Sequence, residues 1–135
     1  MTKTLKIFVA ILFILFIACA IVFLIFQKRY HKMANIIRSE YAAVSNVNLK
    51  KIPDGVYNGK FGEFLVSVDL DVEVKNHRIE KITVKKQDCG RGYEALDTIE
   101  RIIKAQSPKV DAVSGATGSS MVIMIAVNRA LTNQK

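Results

Sequence analysis

The hydrophobic pattern changes period several times along the chain. From residue 7 to residue 26 the sequence reads IFVAILFILFIACAIVFLIF, with no charge, Pro or Gly. A helix over that run reaches about 30 Å, the thickness of a bilayer's hydrocarbon core. It also pairs its backbone groups internally, as lipid requires. The run predicts a transmembrane helix over 7–26 behind a short flank, 1–6. A cleaved secretory signal fits less well, because Ala18, Cys19 and Ala20 are followed by six more apolar residues and cleavage there would leave a greasy terminus. The same run argues against lipidation at Cys19.

Residues 27–53 predict a juxtamembrane helix and linker. Met33, Ile36, Ile37, Tyr41 and Val44 fall near one helical stripe, a packing or self-association surface, and Pro53 and Gly55 mark a turn. A short strand is expected over 55–61, with Gly62 as the turn that follows. Strict alternation then places Val66, Val68, Leu70, Val72 and Val74 on one buried strand face opposite an acidic, wet one. Asn76 and His77 suit a two-residue reversal into RIEKITVKK (78–86), giving an antiparallel hairpin. From Gly92 to Ser107 the period becomes helical, with Leu96, Ile99 and Ile103 as the stripe, widened by Ala95 and Ile102, and Pro108 as the stop. Met121 to Leu131 is apolar nearly all round but too short to span a bilayer, so it reads as a buried helix. The expected fold class is α+β: a small antiparallel sheet covered by two helices, preceded by one transmembrane helix.

Composition adds constraints. At 135 residues there is room for one domain beyond the span. The net charge of +8 owes part of its excess to Lys28, Arg29, Lys32 and Arg38, whose simplest partner is the anionic surface of a lipid bilayer rather than nucleic acid. Set against Lys3 and Lys6, this cluster favours a cytoplasmic C-terminal domain. Cys19 in the span and Cys89 beyond it are not placed to bridge within one chain. His77 has no second ligand nearby in the sequence, so no metal site is expected.

The loop DAVSGATGSS (111–120) is where chemistry is most readily placed. It is rich in hydroxyls and precedes a helix, for which Ser119 or Ser120 is a natural N-cap. Unpaired N–H groups and the positive end of the helix dipole suit a phosphate there, and Gly115, Ala116 and Gly118 allow close approach to the backbone. From the residue types alone an ordinary capped turn is the favoured reading. The loop lacks the ending of a P-loop and the spacing of a dinucleotide fingerprint. Ser114 and Thr117 have no evident base, since His31 is juxtamembrane and His77 sits on a hairpin tip, which disfavours hydrolase chemistry.

The order Asp111-x-x-Ser114-Gly115-Ala116-Thr117, followed by Gly118, Ser119 and Ser120, resembles the flavinylation motif of the FMN-binding domain family. That family includes the C subunit of the sodium-translocating NADH:quinone oxidoreductase and the G subunit of the Rnf complex. DGVYNG (54–59) is similar to the family's opening D-G-x-Y-x-G, IEKITV (79–84) to its sheet, and IKAQS (103–107) leading to VDAVS (110–114) to its helix-to-motif connection. The resemblance covers about residues 54–132 and marks 54–135 as the FMN-binding domain. It implies a phosphoester between FMN and Thr117, an FMN phosphoryl threonine, made by an ApbE-type flavin transferase that uses FAD and Mg²⁺. It further implies that Asp111, Ser114, Gly115 and Ala116 form the recognised sequence, with Gly118 and Ser119 completing the cofactor-binding loop. The chain is far shorter than the two complex subunits, so the resemblance does not assign it to either complex.

On this reading the chain is a single-pass membrane flavoprotein that exchanges electrons with a membrane redox partner and is not a stand-alone enzyme. Domains of the family normally face outside the cytosol, against the charge asymmetry noted above; the resemblance is given the greater weight. A non-covalent FMN-binding or sensor module and a cofactor-free basic adaptor are the alternatives. Arg91 is a candidate for the phosphate or the polar edge of the ring, and Cys89 is expected to be a free, partly buried thiol.

Overall fold

The computed structural model describes residues 2–132. The apolar run belongs to a single helix, α1 (Lys3–Ala42), which is long and apolar enough to cross a membrane, consistent with single-pass anchoring. Its apolar side chains are exposed, Phe16 by 71% and Ile14 by 67%. The chain divides into two compact units, the first ending at Lys32 and the second beginning at Met33.

The second unit is built on a three-stranded antiparallel meander in the order β1 (Gly55–Glu63), β2 (Val66–Lys75) and β3 (Arg78–Asp88). Alternation in β2 does what its period requires: Val68, Leu70, Val72 and Val74 are buried, and Val66 is half-buried. The opposite face is acidic but ordered. Asp69 pairs with Lys60 and Asp71 with Lys85, each at 2.8 Å, while the Asn58 Nδ2 donates to both carboxylates. Asn76 and His77 form the expected reversal with φ of 51° and 58°, the left-handed pair that matches strand twist. His77 Nδ1 lies 3.1 Å from the Ile52 carbonyl oxygen, joining the tip to the segment before β1.

Two expectations are corrected here. The first reversal lies at Phe64 and Leu65, not Gly62, which remains in β1 opposite Ser67 where a side chain would crowd the neighbouring strand. The second concerns the helix expected over 92–107. It is confined to α2 (Asp97–Ala105), because Ala95 sits at a φ of 54° outside helical space. Its buried residues are therefore Thr98 and Ile102, with Ile99 and Ile103 half-buried, while before the helix Ala95 is buried and Leu96 is 53% exposed.

The last element, α3 (Thr117–Thr132), lies across β1 and β2, with α2 against α3 and β3. Every residue of α3 from Val122 to Val127 is buried. The approach to β1 is closest at Gly59, where a Cβ would collide with the Ala126 carbonyl oxygen. Met33, Ile37, Val44 and Ile52 join the same core, and Ile36 and Tyr41 pack against it, so the stripe after the span is a packing surface. Arg129 of α3 pairs with Glu40 at 2.6 Å and stacks over the Phe61 ring, 4.7 Å from its centroid. Gln106 ends α2 in the left-handed region and uses its amide on β3, accepting from Ile79 N–H at 2.8 Å and donating to Ile79 O at 2.9 Å.

Candidate functional site

Helix α3 begins at Thr117, so the loop expected to carry chemistry runs directly into its first turn. The cap position is taken by Ala116, whose carbonyl accepts the Ser120 N–H at 3.0 Å. Ser119 and Ser120 are not the N-cap; both are buried one turn further in. The reason is the hydrogen bonding of Ser120. Its Oγ accepts from Val113 N–H at 3.0 Å and from the Thr98 hydroxyl at 3.1 Å, and donates to Ala116 O at 2.9 Å. A serine hydroxyl offers one donor and two acceptor sites, and all are used.

This bonding folds residues 113–116 back on the helix start, and Ala116 N–H closes the turn on Val113 O at 3.0 Å. Gly115 takes a φ of 80°, which favours glycine, and a Cβ there would meet open space. From α2, Arg101 Nη1 donates to the carbonyls of Asp111 and Ala112 at 2.9 and 3.1 Å, tying down the start of the loop. The result is a hydrogen-bonded cradle with an outward rim. Asp111, Ser114, Gly115, Thr117 and Gly118 are exposed, whereas Ala116 and Ser119 are buried. The first N–H groups of α3 have no intrahelical acceptor, and the positive end of its dipole lies at Thr117.

An open cleft of about 530 Å³ separates residues 113–116 from the turn at 91–97. Arg91, Tyr93 and Leu96 line its far side. Cys89, half-buried before that turn, has its thiol pKa pushed up by burial and then by the nearby negative charges of Glu94 and Asp88, which keeps it protonated at neutral pH.

The structure thus brings Asp111, Ser114, Gly115, Thr117 and Gly118 of the predicted loop together on one rim, with Ala116 and Ser119 beneath it. Sequence reasoning missed Thr98, Arg101 and Ser120 as the parts that hold the loop, and Tyr93 and Leu96 as cleft walls. Thr98 offered a faint signal, a hydroxyl standing where the helical stripe calls for an apolar side chain. Leu96 offered none, because its exposure depends on where α2 begins.

The residues present fit a flavin nucleotide. An exposed hydroxyl stands at a helix N-terminus suited to phosphate, open space surrounds Gly115 and Gly118, and a ligand-sized cleft adjoins them. No curated protein matches the chain. A model of the FMN-binding domain family matches residues 63–132, just over half of the chain. The match takes in β2, β3, α2, the loop and α3, and starts after the Asp54–Gly59 segment. The chain therefore belongs to the FMN-binding domain family, and it joins that domain to a helix long and apolar enough to cross a membrane.

Proposed function

We propose that this protein is a membrane-anchored electron carrier whose FMN is held through a phosphoester on Thr117. The observation that carries the proposal is the Thr117 hydroxyl, exposed at the start of α3 within an intact Asp-x-x-Ser-Gly-Ala-Thr sequence beside the cleft. Thr117 has no His in its loop to activate it, so the bond is assigned to an ApbE-type flavin transferase acting with FAD and Mg²⁺. The Thr117 oxygen bonds to the FMN-side phosphorus of FAD, the pyrophosphate linkage breaks, and AMP and the hydroxyl proton leave. The phosphodiester keeps one negative charge, which the N–H groups and dipole of α3 stabilise. Ser120 and Arg101 hold the loop so that the tether point is fixed. When bound, FMN supplies the redox chemistry that these side chains lack. Electrons pass to or from a membrane redox partner, and the domain faces outside the cytosol.

Co-expression with such a transferase tests the attachment. The denatured protein is expected to retain flavin fluorescence and to gain the mass of FMN less water on the Thr117 peptide, both abolished in Thr117→Ala. Flavin released into the supernatant on acid precipitation would instead establish a non-covalent site. Protease protection in intact cells and spheroplasts tests the sidedness; residues 45–132 protected until the membrane is breached would reverse it.

A further inference from the structure

The cleft beside the loop has a far wall that leaves two large side chains, Tyr93 and Leu96, outside the core. Beyond residue 32 the large apolar side chains left exposed are Val56, Phe64, Leu65, Tyr93 and Leu96. Two of these, Tyr93 at 54% and Leu96 at 53%, line this one cleft. The turn that carries them is held in place. Tyr93 N–H donates to Gly90 O at 3.0 Å, Gly92 N–H to Glu94 Oε1 at 3.1 Å, and the Gln87 amide to Glu94 O at 2.8 Å, while Ala95 between them is buried. An ordered turn that spends two large apolar side chains on an open cleft is built to cover something flat and apolar. Arg91 adds the only positive side chain among the described residues that line it.

We infer that the 91–97 turn is the wall on which the flavin ring rests, with Tyr93 and Leu96 covering its apolar face and Arg91 meeting its electron-accepting polar edge. The inference rests on FMN being placed at Thr117. The opposite wall, residues 113–116, immediately precedes that residue, so a group attached at Thr117 starts one residue from the cleft. The volume of about 530 Å³ lies within the range of small-molecule sites, about 300–1,000 Å³. A larger groove of about 740 Å³, lined by Tyr41, Arg101, Lys104, Lys109 and Val110, meets the loop only at Asp111, six residues before Thr117, whereas the first cleft is walled by residues 113–116.

The test uses the full-length chain in detergent, loaded by the transferase, with peptide mass establishing attachment in each variant. A tyrosine stacked on a flavin quenches its fluorescence. The wild-type protein is expected to be several-fold dimmer folded than unfolded, and Tyr93→Leu and Tyr93→Phe several-fold brighter than wild type. Tyr93→Phe, which keeps the aromatic face, is expected to retain the folded-state shift in the visible spectrum that Tyr93→Leu loses. Arg91→Gln should move the midpoint potential to more negative values. The paired substitutions Lys104→Gln and Lys109→Gln should leave brightness and spectrum unchanged. Equal brightness of Tyr93→Leu and wild type at full attachment, or a response confined to the lysine variants, overturns the inference. Absence of flavin mass in the wild type overturns the attachment reading instead. In that event titration with free FMN takes over: quenching that depends on Tyr93 supports the wall, and its independence of Tyr93 sinks it.

Discussion

Helix α1 leaves Ile14 and Phe16 67% and 71% exposed, whereas α3, of similar apolar content, reduces Ile123 and Met124 to 0%. Length and company separate them. The uninterrupted run in α1 matches a hydrocarbon layer, while the 16 residues of α3 reach only about 24 Å and carry Asn128 and Arg129 near their end. α3 instead finds a sheet with a matching apolar face and a notch at Gly59. Apolar content says that a helix leaves water; its length and the partners available say where it goes.

The contrast breaks most severely if a charge is placed in each helix. Ile123→Asp leaves an uncompensated buried charge, costing about 3–5 kcal/mol against a typical total stability of about 5–15 kcal/mol. Loss of the cooperative thermal transition of the domain is the expected result. Phe16→Asp should raise the cost of membrane insertion by about 2.5–3.5 kcal/mol and leave that transition in place. A wild-type melting curve for Ile123→Asp would show that α3 is not the core helix.

The notch comes next. Gly59→Ala forces a methyl group into the α3 backbone, and overpacking of this kind costs about 1–3 kcal/mol. A lowered thermal midpoint should be accompanied by no change in membrane association. Ser120→Ala removes the shared partner of Thr98 and Val113; buried groups left unpaired cost about 1–3 kcal/mol. The accompanying sign is a loop between Asp111 and Thr117 that proteases cut more readily, with the α1 span unaffected.

The smallest effect belongs to the outer face of the sheet. The hydrogen bond from Lys60 holds the Asp69 carboxyl below its ordinary 3.8, and that from Lys85 does the same for Asp71, with Asn58 assisting both. A pKa lowered by folding adds stability that is complete above the unfolded value and is lost as pH falls through the folded one. The thermal midpoint should therefore hold from neutral pH down to the ordinary carboxylate value and fall below it. Asn58→Ala should flatten that fall; identical profiles would remove the network from the account.

Much of this was legible before the structure. The β2 alternation, the Asn76-His77 reversal, the apolar span and the motif loop are all local patterns, set by period, turn chemistry and residue identity. The Gly62 turn and the long helix from Gly92 were misread for a common reason. Both depended on backbone choices made by neighbours in space: Ser67 across the ladder from Gly62, and the buried contact of Ala95 that delays α2. The N-cap was misread because a serine near a helix start can bond forwards as a cap or backwards to its own loop. Here Ser120 bonds backwards to Val113 and Ala116, and Thr98, 22 residues away, completes that arrangement.

By itself the sequence determined that one apolar run is long enough for a membrane, that an α+β domain follows, and that Thr117 stands in a flavinylation-type motif. Periodicity and motif spacing are properties of neighbouring residues, so no fold is needed to read them. The tertiary structure decided which hydroxyl faces out and which is used up inside, and that the 91–97 turn stands opposite the loop. Those assignments depend on contacts between segments far apart in the chain, and the energy of burying or pairing a group exists only once those segments have met.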